Sequence, residues 1–172
     1  MIGGFGEGSL GDPRSDERFM RQALVEAERA LEEGETPVGA VIVRDGVILA
    51  RDHNRTEQLT DPTAHAEILA IGAAAGALGD WRLQECTLYV TMEPCAMCTG
   101  ALLLGRVGRV VYGARDLRAG ACGSRLDLVQ ANPQGHALRL EDGCLEEECR
   151  MLLQDFYRAL RRGEGPGSTD RG

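Results

Sequence analysis

Apolar residues fall at Met20, Ala23, Leu24, Ala27, Ala30 and Leu31, the three-and-four spacing of one helical face. Ser15 suits the start of that helix, because Asp16 and Glu17 follow it where the positive end of the helix dipole favours acids. Gly34 and Pro37 end it. Two β-rich runs, 38–44 and 47–51, flank Asp45-Gly46, a pair that predicts a tight hairpin. A polar loop from His53 to Pro62 leads into a predicted helix over 64–75 and a connector over 76–82. Residues 88–91 read as a strand, 95–104 as a helix entered through Pro94, and 109–113 as another strand. The stretch 114–135, with Gly120, Gly123 and Pro133, reads as a long irregular excursion. A short strand over 137–140 precedes a helix over 145–160, whose apolar positions are Leu145, Leu152, Leu153, Phe156 and Leu160. Strands thus alternate with helices after an opening helix and hairpin. The pattern predicts an α/β fold with helices on both faces of a roughly five-stranded mixed sheet. Residues 1–14 and 163–172 are Gly-rich without periodicity and read as mobile tails around one domain, 15–162.

Composition narrows the class. A chain of 172 residues, 43% hydrophobic and 27% charged, has room for one core of ordinary globular type. No apolar run is long enough for a membrane helix, and the N-terminus lacks the basic and apolar blocks of an export leader. The expectation is a cytoplasmic protein with no membrane partner. Without an export signal, the six Cys read as thiols or metal ligands rather than a disulfide framework. Cys86, Cys122, Cys144 and Cys149 read as small buried side chains.

The net charge of −8 argues against a nucleic-acid partner, and no DNA partner is expected. The distribution of charge softens this for RNA. Residues 1–36 carry nine acids against four Arg and residues 141–172 eight against five, while the middle is balanced. There Arg106, Arg109, Arg115 and Arg118 are offset only by Asp116, and the chain has no Lys, so every fixed cation is a guanidinium suited to bidentate phosphate contact. A local basic patch over 106–118 is one reading, and a solvated or acid-paired face is the other.

The chemistry concentrates between Thr63 and Cys98. His65-Ala66-Glu67 opens this stretch and Pro94-Cys95-Ala96-Met97-Cys98 closes it. One His and two Cys make three zinc ligands, and a zinc site with three protein ligands keeps its fourth position for water. Cys95 and Cys98, three apart in the first turn of a helix, can face one metal, and the helix start favours their thiolates. His65 and Glu67, two apart, share a cleft only if His65 stands at or near the first helical residue, which Pro62 allows. The imidazole then binds zinc and the carboxylate stands beside the zinc-bound water. Zinc lowers the pKa of that water toward ~7. Glu67 passes its proton to a ring nitrogen of a base, hydroxide adds to the neighbouring carbon, and Glu67 protonates the departing amine. Asn54 can hold the substrate through its amide, and the N–H of Ala66 can bind another polar group.

His-x-Glu followed by Pro-Cys-x-x-Cys is the pattern of zinc nucleobase deaminases. The resemblance extends to Pro37-Val38-Gly39-Ala40-Val41, His53-Asn54-Arg55, Asp61-Pro62-Thr63-Ala64, Leu88-Tyr89-Val90-Thr91 and Gly113-Ala114-Arg115-Asp116. From about Phe19 to Arg162 the chain resembles the bacterial tRNA-specific adenosine deaminases of the cytidine deaminase superfamily. That resemblance implies a three-layer α/β/α cytidine-deaminase-like fold with one Zn2+ per subunit on His65, Cys95 and Cys98, and Glu67 as proton shuttle. It implies that Asn54 contacts substrate and that Asp116 lies near the target nucleotide. It also implies a homodimer that converts the wobble adenosine of a tRNA anticodon stem-loop to inosine with release of ammonia. Relatives often end in a more basic tail than the acidic, Gly-rich 163–172 here, so the expectation is that RNA affinity rests on the Arg106–Arg118 segment. Deamination of a free base or nucleotide, guanine or cytosine type, stays open, as does a non-catalytic zinc-stabilised RNA-binding protein.

Five other residues have simpler readings. His53 and His136 read as ordinary polar or structural side chains, and Trp81 as core packing at a helix–strand junction. Phe156 and Tyr157 divide between core and, for Tyr157, stacking on an extruded base.

Overall fold

The computed structural model describes residues 12–132 and 135–165. Most of both predicted tails, and Pro133, lie outside the described residues. The elements run α1 (Pro13–Glu32), β1 (Gly39–Arg44), β2 (Val47–His53), α2 (Thr56–Leu59), α3 (Ala66–Leu78), β3 (Cys86–Met92), α4 (Ala96–Leu104), β4 (Arg109–Ala114), α5 (Leu128–Ala131), β5 (Arg139–Glu141) and α6 (Glu146–Arg161).

The strands form one five-stranded sheet in the order β2-β1-β3-β4-β5. β1 pairs antiparallel with β2 and β3, whereas β3–β4 and β4–β5 are parallel. α1 and α6 pack together on one face of the sheet, and α3 and α4 contact each other on the opposite face. This is the mixed α/β/α arrangement read from the sequence. β1 and β4 are buried almost throughout, as continuous apolar runs require when both faces are covered. Asp45 and Gly46 have φ of 50° and 74°, the doubly positive pair of a I′ hairpin turn.

Several expected boundaries shift. α1 begins at Pro13, not Ser15, because the Asp12 side chain accepts the N–H of Arg14 and Pro suits the first helical position. Asp16 lies in the first turn of α1, as expected of a dipole-facing acid, and it is also buried. It forms a two-pronged pair with Arg109 (Nη1 to Oδ1 2.9 Å, Nη2 to Oδ2 2.6 Å) and accepts the Tyr89 hydroxyl at 2.8 Å. This ties α1 to β3 and β4. The polar loop after His53 contains the short helix α2, and β3 begins two residues before Leu88.

Trp81 is not core. It is 53% exposed, with the Arg82 and Arg106 guanidiniums 4.4 and 5.5 Å from its ring. The junction is instead filled by Leu83, which is fully buried.

Candidate active site

Both motifs lie where the chain enters a helix, at the edge of the sheet where β3 and β4 end. His65, with φ −73° and ψ 151°, is the last extended residue before α3, and Cys95, with φ −74° and ψ 177°, holds the same position before α4. This extended backbone turns His65 away from the helix axis, so that it and Glu67 reach one cavity although they are two apart. Glu67 is in the first turn of α3, and Cys98 in the first turn of α4.

His65 Nδ1 stands 3.6 Å from Cys95 Sγ and 3.5 Å from Cys98 Sγ, and all three ligand atoms lie within 4.8 Å of one another. Zn–N and Zn–S bonds of about 2.05 and 2.3 Å at a tetrahedral angle would put N and S about 3.6 Å apart. The trio therefore fits a zinc-sized cation, and its nitrogen and two sulfurs suit zinc chemically. Protons are shared within the trio. Cys95 is pushed down to about 4 by the Cys98 thiol and by His65, while Cys98 is pushed up by donating to Cys95 and by burial. His65 is raised, chiefly by its bond to Cys95. Metal binding displaces these protons.

A cavity of about 260 Å³ opens in front of the trio, lined by Asn54, His65, Ala66, Glu67, Cys95, Asp116 and Tyr157 among others. Glu67 is buried at 4% exposure, and that burial pushes its carboxyl up to about 7. Ala66 is the first residue of α3, so its N–H is one of those a helix leaves without an internal acceptor. Asp116 turns Oδ1 back to the N–H groups of Arg118 and Ala119, at 2.9 and 3.2 Å, so its carboxylate shapes its own loop as well as the cavity wall. Tyr157 lines the cavity, whereas Phe156 is buried in the core.

Two buried carboxylates around this site escaped the sequence reading. Glu35, 1% exposed, accepts Asn54 Nδ2 at 3.1 Å and the N–H groups of Glu57 and Gln58 at 3.2 and 2.7 Å. It fixes the Asn54 amide and caps α2 at once, leaving Oδ1 of Asn54 for the cavity. Glu93, 2% exposed, lines the same cavity. Only Asn54, already implicated, hinted at the first of these. His53 is structural, held between Glu26 at 3.2 Å and Glu33 at 2.7 Å, and His136 bonds the Val107 carbonyl at 2.7 Å. Cys86, Cys122 and Cys149 are buried and Cys144 half-buried.

The 106–118 segment does not form one patch. The rigid span of β4 separates its two ends: Arg106 lies on Trp81 and Arg109 is buried on Asp16, while Arg115 bonds Asp142 at 2.9 Å. The cations gather in a different combination. A groove of about 780 Å³ runs alongside the cavity, and Arg115 and Arg118 meet Arg150, Arg158 and Arg161 of α6 there. Met92, Asp116, Ala119 and Tyr157 belong to both groove and cavity. Arg118 and Arg161 have no ion pair among the described residues.

This sheet, with a His/Cys/Cys trio at the starts of two helices beside a buried Glu, is the frame of a deaminase, and the model of the MafB19-like deaminase family matches residues 14–161. A tRNA-specific adenosine deaminase of Bacillus subtilis (strain 168) is 48% identical over 147 residues, 86% of this chain and 91% of that one. A solved structure from studies of A-to-I editing by tRNA:A34 deaminases at the wobble position of transfer RNA has 46% identity and a TM-score of 0.77, covering 79% of this chain and 99% of its own. The guanine deaminase of Bacillus subtilis is more distant in structure, with 38% identity and a TM-score of 0.57 over 67% of this chain and 74% of its own. The chain belongs to the MafB19-like deaminases and, among them, to the tRNA-specific adenosine deaminases.

Proposed function

We propose that this protein hydrolyses the wobble adenosine of a tRNA anticodon to inosine, releasing ammonia, with His65, Cys95 and Cys98 holding one zinc ion per subunit. The observation that carries this reading is the N–S spacing of 3.5 and 3.6 Å in a cavity that also holds the buried Glu67. Zinc bound there supplies Lewis acidity and an activated water. Glu67, a buried carboxyl raised above its ordinary range and lining the same cavity as the trio, is suited both to accept and to return a proton. It takes the proton of the attacking water, delivers one to purine N1 and then protonates the amine leaving C6. Asn54 offers its side-chain oxygen and Ala66 its N–H to the polar edges of the base, with Asp116 at the rim and Tyr157 placed to stack on it. Atoms balance: water enters, and inosine and ammonia leave.

RNA is favoured over a free base because the cavity joins a groove carrying five Arg, a surface suited to a phosphodiester chain. This replaces the 106–118 patch as the phosphate-contacting surface. The guanine deaminase neighbour supports the second reading, a free purine as substrate. Incubation with an A34 anticodon stem-loop and, separately, with free nucleosides and guanine distinguishes the two. Inosine at position 34 is expected; ammonia from a free base with no inosine in the RNA would overturn the proposal.

A homodimer accompanies this reading. α3 is apolar on all sides yet exposes Gly72, Ala73, Gly76 and Ala77, and the adjoining α4 exposes Met97 and Leu104, which suits close packing of a second copy. Sedimentation at micromolar concentration tests it, and a monomer there would refute it. No helix among the described residues is long and apolar enough to cross a membrane, and a tRNA substrate suits the expected cytoplasmic location.

A further inference from the structure

Glu93 sits two residues before Cys95, just beyond the end of β3. It is buried at 2% exposure and has no ion pair among the described residues. Its partners are backbone N–H groups from a single distant stretch. Oε2 accepts from Asp116 at 3.0 Å, and Oε1 accepts from Cys122 and Ser124, each at 3.1 Å. The loop 116–124 is thus wrapped around one carboxylate. The fit is close: a Cβ at Gly120 would lie 2.5 Å from Glu93 Cδ. A carboxylate is acceptor-only and meets all three donors, whereas a side-chain amide of the same shape has one oxygen and would turn its NH2 toward the rest. Two backbone ties continue the attachment, from the Ala121 N–H to the Pro94 carbonyl at 2.9 Å and the bridge between Cys95 and Gly120.

The other side of this loop faces substrate space. Asp116 and Ala119 line the cavity, and Arg115, Leu117 and Arg118 line the groove. One carboxylate therefore joins the turn that carries Cys95 to the loop that forms the shared wall of both.

We propose that Glu93 is a positioning residue that sets the 116–124 loop in register with the metal-bearing turn, so that the RNA and the reacting base are held in one frame. This rests on the deaminase reading above. Both carboxylate oxygens of Glu93 are engaged by loop N–H groups, so its removal weakens RNA binding rather than the proton transfers of Glu67.

The test uses full-length zinc-loaded protein, the variants Glu93→Gln and Gly120→Ala and their combination, and an A34 stem-loop. In Glu93→Gln, KM for the RNA is expected to rise about tenfold to a hundredfold with kcat within about threefold, the split that loss of substrate positioning without loss of chemistry gives. Zinc content stays at the wild-type value. The amides of Asp116, Cys122 and Ser124 exchange with deuterium faster, while those of α3 and α4 do not. Gly120→Ala disturbs the same contact from the loop side and gives the same split, and the combined variant is no worse than the poorer single one. If Glu93→Gln does not fold, Gly120→Ala decides alone. An unchanged KM, a loss confined to kcat, or unchanged exchange at the three amides overturns the proposal. Exchange needs no RNA, so a wild type that makes no inosine would sink the deaminase reading while the amides still report whether Glu93 holds the loop.

Discussion

Glu35 provides a sharp test of how Asn54 is aimed. Its carboxylate serves Asn54 Nδ2, the Thr56 hydroxyl at 3.4 Å and the N–H groups of Glu57 and Gln58, all in a site 1% exposed. Glu35→Gln leaves one acceptor oxygen for these donors. If that oxygen takes the place of Oε2, the new NH2 meets the Gln58 N–H, donor against donor, at a position now spanned by 2.7 Å. If it takes the place of Oε1, the new NH2 faces the Glu57 N–H at a position now spanned by 3.2 Å, and Asn54 must turn its amide over and show NH2 where it now shows oxygen. The first arrangement costs about 1.5–3 kcal/mol of stability, the worth of a hydrogen bond to a charged group. The second carries a similar cost at Glu57 and also loses one oriented bond to substrate, about 1.4 kcal/mol or tenfold in kcat/KM. Measuring kcat/KM on the stem-loop for Glu35→Gln, Asn54→Ala and the double variant, alongside denaturant melts, separates the two. A fall in stability of at least about 1.5 kcal/mol or a loss of about tenfold in kcat/KM is expected. The double variant should match Asn54→Ala in kcat/KM, because Glu35 acts on substrate only through Asn54. Wild-type efficiency and stability in Glu35→Gln, or fully additive losses of kcat/KM in the double variant, would refute the reasoning.

Glu67→Gln should retain zinc, measured by atomic emission, while single-turnover inosine formation falls about 100- to 10,000-fold, the usual worth of a positioned acid–base group. Stripping the metal with a chelator should abolish activity and lower Tm by about 8–16 °C if the site is normally held near a thousandfold excess over Kd, with zinc restoring both; an unchanged melt would show that the metal is not resident. Burial opposes charge on Asp16, but Arg109 and Tyr89 outweigh it and hold the carboxyl below 3.8, so its stabilisation is full above that pH and lost as pH falls through its lower folded value. Denaturant melts from pH 2 to 6 should show that loss in the wild type and not in Asp16→Asn, which is already weaker at neutral pH by about 3–5 kcal/mol, the cost of breaking a buried pair. Arg161→Ala should weaken stem-loop binding and reduce the slope of log affinity against log salt by about 0.7, and an unchanged slope would remove that residue from the phosphate surface.

The His/Cys/Cys trio was legible in the sequence because its spacing and its helix starts are local facts: Pro62 and Pro94 lie just before α3 and α4, and the three residues follow. The hairpin was legible for similar reasons. Glu35 and Glu93 were not, because each is an acid among many until folding brings it to backbone donors 22 to 31 residues away. The buried pairing of Asp16 is hidden for the same reason, its partner Arg109 being 93 positions distant. The Arg residues at 106–118 were grouped by nearness in the chain, yet a strand carries neighbours apart, and α6 brings Arg150, Arg158 and Arg161 to the two that remain. Trp81 was assigned to the core on size and apolar character, but flanking guanidiniums can cover an indole at the surface.

His65, Cys95, Cys98 and Glu67 all come from the starts of α3 and α4, whereas Asn54, Asp116 and Tyr157 come from a strand end, an irregular excursion and the last helix. In the proposed reaction, the side chains that would make and break bonds therefore have a different architectural origin from the side chains that would meet the substrate. The second group can be rewritten without replacing a member of the His/Cys/Cys trio, so on that reading one reaction can be passed to a new base or a new polymer. The shared frame with a guanine deaminase is what such a division of labour makes accessible to evolution.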